Sequence, residues 1–177
     1  MESSPPPPCT AFAGSGAQYW KAKDGDGRTL EGLALVDACL RVVAVTKPRW
    51  WVLENPVGRL KRWLGPSSFS FNPCDFAQLT QRYQCQCGHS FETELGKYGC
   101  PNCEGSTVAE LFSPDAYTKK TLLWGTFNAP APAPLPPVRV CSQGSWVQAL
   151  GGKSERTKEL RSATPMGFAK AFFKANP

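Results

Sequence analysis

Tyr83-Gln84-Cys85-Gln86-Cys87-Gly88-His89 and, ten residues on, Gly99-Cys100-Pro101-Asn102-Cys103 decide how the middle of this chain folds. Each stretch is a tight cysteine turn with a glycine beside it, so backbone amides can point at the sulfurs. Zinc takes four soft or borderline donors at tetrahedral corners, and two facing cysteine turns supply them. The second turn has the familiar Cys-x-x-Cys spacing; the first, Cys85-x-Cys87, is one residue shorter. Cys85, Cys87, Cys100 and Cys103 are the expected ligands, with His89 an alternative to Cys85 or Cys87. Four protein donors close the coordination sphere, so the expected Zn2+ is structural rather than hydrolytic. A ribbon of about this size cannot bury a core without its metal.

Outward from this ribbon, 177 residues suffice for one α/β domain with a small module set into it. Hydrophobic residues at 41% and aromatics at 11% are those of a globular chain and exclude wholesale disorder. The net charge of +6 suits a polyanionic partner without demanding one. No apolar run approaches the roughly 20 residues of a membrane span. Met1-Glu2-Ser3-Ser4 and the four prolines after it lack the basic and apolar regions of a signal peptide. A cytoplasmic location without membrane is therefore expected. Four of the eight cysteines cluster at metal-ligand spacing, which favours a reducing compartment over a secreted disulfide scaffold.

Pro5 to Pro8 can continue neither a helix nor a central strand, and Ala13-Gly14-Ser15-Gly16 reads as a flexible loop. Leu30 to Val45 repeats apolar residues at helical spacing, with Asp26 as the expected N-cap and Pro48 as the stop. Trp50 to Leu53 reads as a buried strand, followed by a polar turn over Glu54 to Gly58. A short helical turn is expected over Arg59–Leu64, an extended segment at Phe69 and Phe71, and a strand over Lys119–Thr126. Alternating Ala/Pro from Ala129 to Pro137 predicts polyproline-like backbone. A polar loop is expected over Gly151–Ser162, then a helix opened by Thr164-Pro165 and carrying Phe168, Ala169, Phe172 and Phe173.

Two further residues carry chemistry. Cys9, between a rigid proline run and a glycine loop, sits where a catalytic thiol could be accessible and held in place; read alone, it is first an ordinary cysteine near a terminus. Glu54, with Asn55, stands at the end of an apolar strand, where α/β proteins place active-site groups; read alone, it is equally a turn residue.

Taken together, these stretches resemble a known family. Pro7-Pro8-Cys9-Thr10-Ala11-Phe12 with Ala13-Gly14-Ser15-Gly16 looks like the nucleophile loop of cytosine-5 DNA methyltransferases. Glu54-Asn55-Pro56 is similar to their Glu-Asn motif and follows after one helix and one strand. Asp115 to Gly125 resembles their later basic strand motif, with Lys119 and Lys120 where arginines are usual. The set of Glu54–Gly58, Phe71–Asp75, Thr118–Gly125 and Gly152–Ser162 resembles phage and prophage members in particular. The resemblance implies that the Cys9 thiolate adds to C6 of a flipped cytosine while Glu54, with Asn55, holds its N3/N4 edge and shares a proton. It implies S-adenosylmethionine as methyl donor, DNA as partner, and phosphate contacts from Lys119, Lys120, Lys153, Arg156, Lys158 and Arg161.

The family opens on a strand and glycine-rich loop for the donor, and no such region precedes Cys9 here. Phe12–Gly16 is the one candidate for that loop, although a proline run rather than a strand precedes it. A second polypeptide supplying the donor-binding half is the corresponding expectation. The expected fold is thus a partial Rossmann-like methyltransferase domain over 1–81 and 107–177, with a zinc ribbon inserted over 82–106. Two other functions fit the same residues: a non-catalytic zinc-ribbon module binding nucleic acid or protein, and an assembly protein in which zinc only staples a loop.

Overall fold

The computed structural model describes residues 11–93, 100–103, 107–139, 142, 145–150 and 154–177. Its helices are α1 Trp20–Gly25, α2 Arg28–Thr46, α3 Lys61–Leu64, α4 Trp146–Ala149, α5 Glu155–Ser162 and α6 Met166–Ala175. Its strands are β1 Trp51–Pro56, β2 Phe69–Phe71, β3 Thr80–Cys85, β4 Ser90–Thr93, β5 Thr107–Phe112 and β6 Thr121–Thr126. Two compact units emerge: Met1–Asn72 with Lys119–Pro130 and Phe172–Pro177, and Pro73–Thr118 with Ala131–Ala171. The ribbon segment 82–106 thus falls inside the second unit, together with the chain that carries α4 and α5.

In the first unit, β6 runs antiparallel between β1 and β2, giving the order β1-β6-β2. The two outer strands are therefore parallel to each other, joined through α3. Trp51, Leu53 and Asn55 share one face with Leu122 and Trp124 opposite them. That face meets a core of Ala11, Phe12, Val36, Leu53, Leu60 and Trp124. Pairing reaches Pro56, opposite Thr121, so Glu54 and Asn55 lie on the strand and not in the turn that the sequence suggested. The hydrogen-bonded ladder with β6 holds this polar stretch extended, where local composition alone favours a turn.

Ala11 to Gly14 runs beside the turn that follows β1. Gly14 N donates to Val57 O at 2.8 Å, Arg59 N donates to Phe12 O at 2.9 Å, and Ala13 bridges Gly58. Gly14–Tyr19 is a 3-10 helix leading into α1, where a flexible loop was expected. Arg59, 3% exposed, ties these pieces together. Its guanidinium bonds Asp24 at 2.7 and 3.0 Å, Thr29 Oγ1 at 2.6 Å and the Ala11 carbonyl at 3.3 Å. It lies over the rings of Trp20 and Trp63.

α2 begins two residues before the expected Leu30, and Gly27 (φ 86°) takes the N-cap position instead of Asp26. The Asp26 carboxylate still accepts from Arg28 N at 3.2 Å, so it serves the helix start from one residue further out. The helix stops at Thr46, before Pro48, with Lys47 in a left-handed conformation. At the far end of this unit's chain, Phe172 packs against Trp50 and Phe127, and Asn176 exchanges hydrogen bonds with the Asn128 backbone.

In the second unit the antiparallel sheet β4-β3-β5 carries the ribbon around Tyr83, 1% exposed. It is longer than the ribbon expected from the cysteines, since β3 starts at Thr80 and β5 ends at Phe112. The Ala/Pro stretch forms no strand, yet Ala133 N and Leu135 N donate to Asp75 O and Cys74 O in a 3-10 turn, Pro73–Phe76. α5 occupies part of the stretch read as a loop. It has no apolar stripe to announce it; Ser154 caps it through Thr157 N, and Lys158 pairs with Glu155 on its outer side. α6 starts where Thr164-Pro165 placed it, but the Gly167 N–H is taken by Asp115 Oδ2 at 2.7 Å, a carboxylate from far along the chain.

Candidate metal centre and the Glu54 strand

β3 ends on Cys85, and the chain turns at once. Gly88 N donates to Cys85 O and Cys85 N donates to His89 O, both at 2.9 Å, with Gly88 at φ 84°. The turn directs the Cys85 and Cys87 sulfurs to the same side as those of Cys100 and Cys103. All four Sγ atoms lie within 4.8 Å of one another. Cys85 to Cys103 is 3.4 Å and Cys87 to Cys100 is 3.8 Å. A tetrahedron with zinc–sulfur bonds of about 2.3 Å has edges of about 3.8 Å. The separations are thus those of ligands around one ion and far exceed a disulfide bond. His89 contributes its backbone carbonyl to the turn, and the cluster consists of four sulfurs without it.

Thiols this close cannot all ionise without a cation. The His89 backbone amide, followed by the neighbouring thiols, lowers Cys87 to about 7. At Cys85 the Cys87 amide acts to lower the pKa, but lost hydration and the other thiols outweigh it and push it to about 12. One thiol yields its proton early and another holds it, as expected for like charges sharing a small volume. A divalent ion removes that conflict, because its own charge stabilises every thiolate. The residues present therefore fit a four-thiolate metal site. Cys85 and Cys100 are buried while Cys87 and Cys103 face outward, so one edge of the site meets solvent.

The second candidate constellation lies in the first unit. Glu54 and Asn55 are consecutive on β1 and point to opposite faces. Glu54 stands opposite Leu123, which is 1% exposed and in turn opposite Phe69. Although Glu54 keeps contact with solvent, these apolar neighbours strip water from its carboxyl and raise its pKa, while the Lys119 charge works in the other direction. Asn55 is fully buried, and neither atom of its side-chain amide has a hydrogen-bond partner. A buried amide left unpaired in this way is costly. Cys9, the expected nucleophile, lies outside the described residues, as does Lys153.

Lys119 is half-buried and Lys120 exposed just before β6, in the first unit. Arg156, Lys158 and Arg161 are exposed on α5, in the second. Phe12–Gly16 is not a donor loop of the strand–glycine–helix kind, because Ala13 makes only an isolated bridge and Gly14 enters a 3-10 helix. The sequence reading missed the electrostatic link between Lys119 and Glu54 and the unpaired state of Asn55. Both depend on β6 returning beside β1, for which local sequence carries no signal. No helix among the described residues is long and apolar enough to cross a membrane. No protein-family model matches the chain, and no curated protein or solved structure matches it.

Proposed function

We propose that the chain is a DNA cytosine-5 methyltransferase-type protein, phage-related and built on a partial Rossmann-like α/β unit, with a structural zinc ribbon. The observation that carries this reading is the docking of Ala11–Gly14 on Val57–Arg59. The two sequence motifs are distant in the chain, and this contact joins the later part of the first to the residues that directly follow the second. Cys9 precedes Ala11 by two residues, a reach of at most about 7 Å. The parallel β1 and β2, connected through α3 and flanking an antiparallel β6, support an α/β origin for the first unit.

In this reading the Cys9 thiolate adds to C6 of an extruded cytosine. Glu54, its pKa raised, delivers a proton to N3 as the ring accepts the electron pair. S-adenosylmethionine would supply the methyl group at C5; since Phe12–Gly16 runs from an isolated bridge into a 3-10 helix, the donor is proposed to be held by a second polypeptide. Zinc would be held by Cys85, Cys87, Cys100 and Cys103 and would only keep the ribbon closed. Lys119, Lys120, Lys153, Arg156, Lys158 and Arg161 would bind DNA phosphates.

An oligonucleotide bearing 5-fluorocytosine tests the reading. With donor and a donor-binding partner supplied, the protein should form a covalent adduct, and Cys9→Ser should abolish it. DNA binding without any adduct would instead favour the non-catalytic ribbon module, for which the four-sulfur cluster and the net charge of +6 already provide the parts.

A further inference from the structure

α2 carries apolar residues on two sides, and among the described residues only one side packs against the core. Val36 and Gly32 face the core of the first unit. On the other side Leu30 is 69% exposed, Leu35 38%, Val42 61% and Val45 83%. Leu30, Ala34, Ala38, Val42 and Val45 follow one another at steps of four, four, four and three residues, so they form a continuous stripe along the helix. A soluble helix ordinarily turns polar residues outward, and one that is apolar all round is a helix that is covered. Single exposed aliphatics need no explanation; a stripe along a 19-residue helix does.

We propose that this stripe is the interface of a homodimer, in which α2 of one copy packs antiparallel against α2 of a second copy. Charge decides for a second copy and fixes the direction. Arg28, the first residue of α2, is engaged by Asp26 outside the helix; beyond that pair Glu31 and Asp37 lie in the first half and Arg41 and Lys47 in or just beyond the second, so two helices laid head to tail match acidic with basic halves. Asp37 and Arg41 stand on the same flank of the stripe, one before and one after its central Ala38, and already pair within one chain at 3.1 Å. In a two-fold antiparallel pair, residues of one flank meet the same flank of the partner, which brings Asp37 of each copy to Arg41 of the other. The small Ala34 and Ala38 at the centre of the stripe let the helices approach closely. The inference is independent of the methyltransferase reading, since it uses no residue of that site.

Sedimentation velocity on the full, zinc-loaded chain provides the test. A dimer is expected, and Val42→Glu and Val45→Glu should each yield monomers with unchanged helix content and zinc content. Asp37→Arg and Arg41→Asp should each weaken association on the order of tenfold, by facing like charges across the two-fold. Mixed in equal amounts, these two single variants should recover a heterodimer, because every cross-pair is then opposite in sign. Repair of the pair within one chain cannot produce that recovery. A wild-type chain that stays monomeric at about 100 μM overturns the proposal. So does a dimer indifferent to Val42→Glu and Val45→Glu, or a mixture that associates no better than its components.

Discussion

Ala13 and Gly58 are joined by an antiparallel bridge, and a Cβ on Gly58 would lie 1.9 Å from the Phe12 carbonyl oxygen. Only a residue without a side chain lets these two segments meet. Gly58→Ala must therefore push the Ala11–Gly14 segment off the turn after β1. The expected cost is about 1–3 kcal/mol of overpacking strain. Urea denaturation should show a lower midpoint, and zinc content should be unchanged because the ribbon lies in the other unit.

Cys100→Ala and Cys103→Ala each remove one corner of the sulfur cluster. Bound zinc, about one per wild-type chain if the four sulfurs share one ion, should fall to near zero in both variants by atomic emission. Acid should release it from the wild type as well, because protons compete for the thiolates. A wild-type protein purified without metal that keeps the ribbon strands intact would remove zinc from its structural role.

The raised pKa of Glu54 has a direction that stability measurements can read. The fold favours the protonated carboxyl, so this side chain contributes stability below its unfolded pKa of about 4.3 and loses it as pH rises through the higher folded value. Glu54→Gln, a neutral mimic, should be more stable than wild type at pH 7. The two should converge at pH 4. The difference should stay below about 1 kcal/mol, since the carboxylate still meets solvent and is screened.

Asn55 carries a stability cost that a folded protein has no packing reason to keep. Asn55→Leu should raise the thermal unfolding midpoint, by a gain of about 1–3 kcal/mol from removing the unpaired amide. The same variant should lose the 5-fluorocytosine adduct if the amide serves the proposed site. Stability gained with activity lost is the pattern of a functional polar group. A variant that gains neither stability nor loses activity would leave the amide without a role in either.

Asp115 serves the start of α6 as a distant cap. Asp115→Ala should destabilise the protein by about 0.5–2 kcal/mol, as loss of a capping side chain does elsewhere. Hydrogen exchange should speed up first at Gly167, whose N–H the carboxylate holds.

What the sequence made legible were features whose causes are local. The spacing of Cys85, Cys87, Cys100 and Cys103 specified the cluster, and the apolar repeat from Leu30 to Val45 specified α2 to within two residues at its start. Pro48 and Thr164-Pro165 marked helix limits correctly because proline acts on its own neighbours. Where partners come from far away, reading along the chain failed. Glu54 to Pro56 was read as a turn because its polarity outweighed a β6 ladder still many residues off. α5 was read as a loop because it packs no apolar face, and its cap and ion pair leave only a faint trace in composition. The carboxylate that holds Gly167 is likewise invisible to any window that contains α6.

β6 is the middle strand of its sheet and the last of the three to be synthesised. When β1 and β2 leave the ribosome, the strand that pairs with both has not been made, and both must wait while the whole ribbon is made ahead of β6. The ribbon's own strands are close together in the chain and can close early around an ion. The metal-binding segment thereby becomes a compact loop whose closure shortens the path β6 must travel to reach its slot. Metal supply during translation would then set how quickly the first sheet completes, even though every sulfur of the cluster belongs to the other unit.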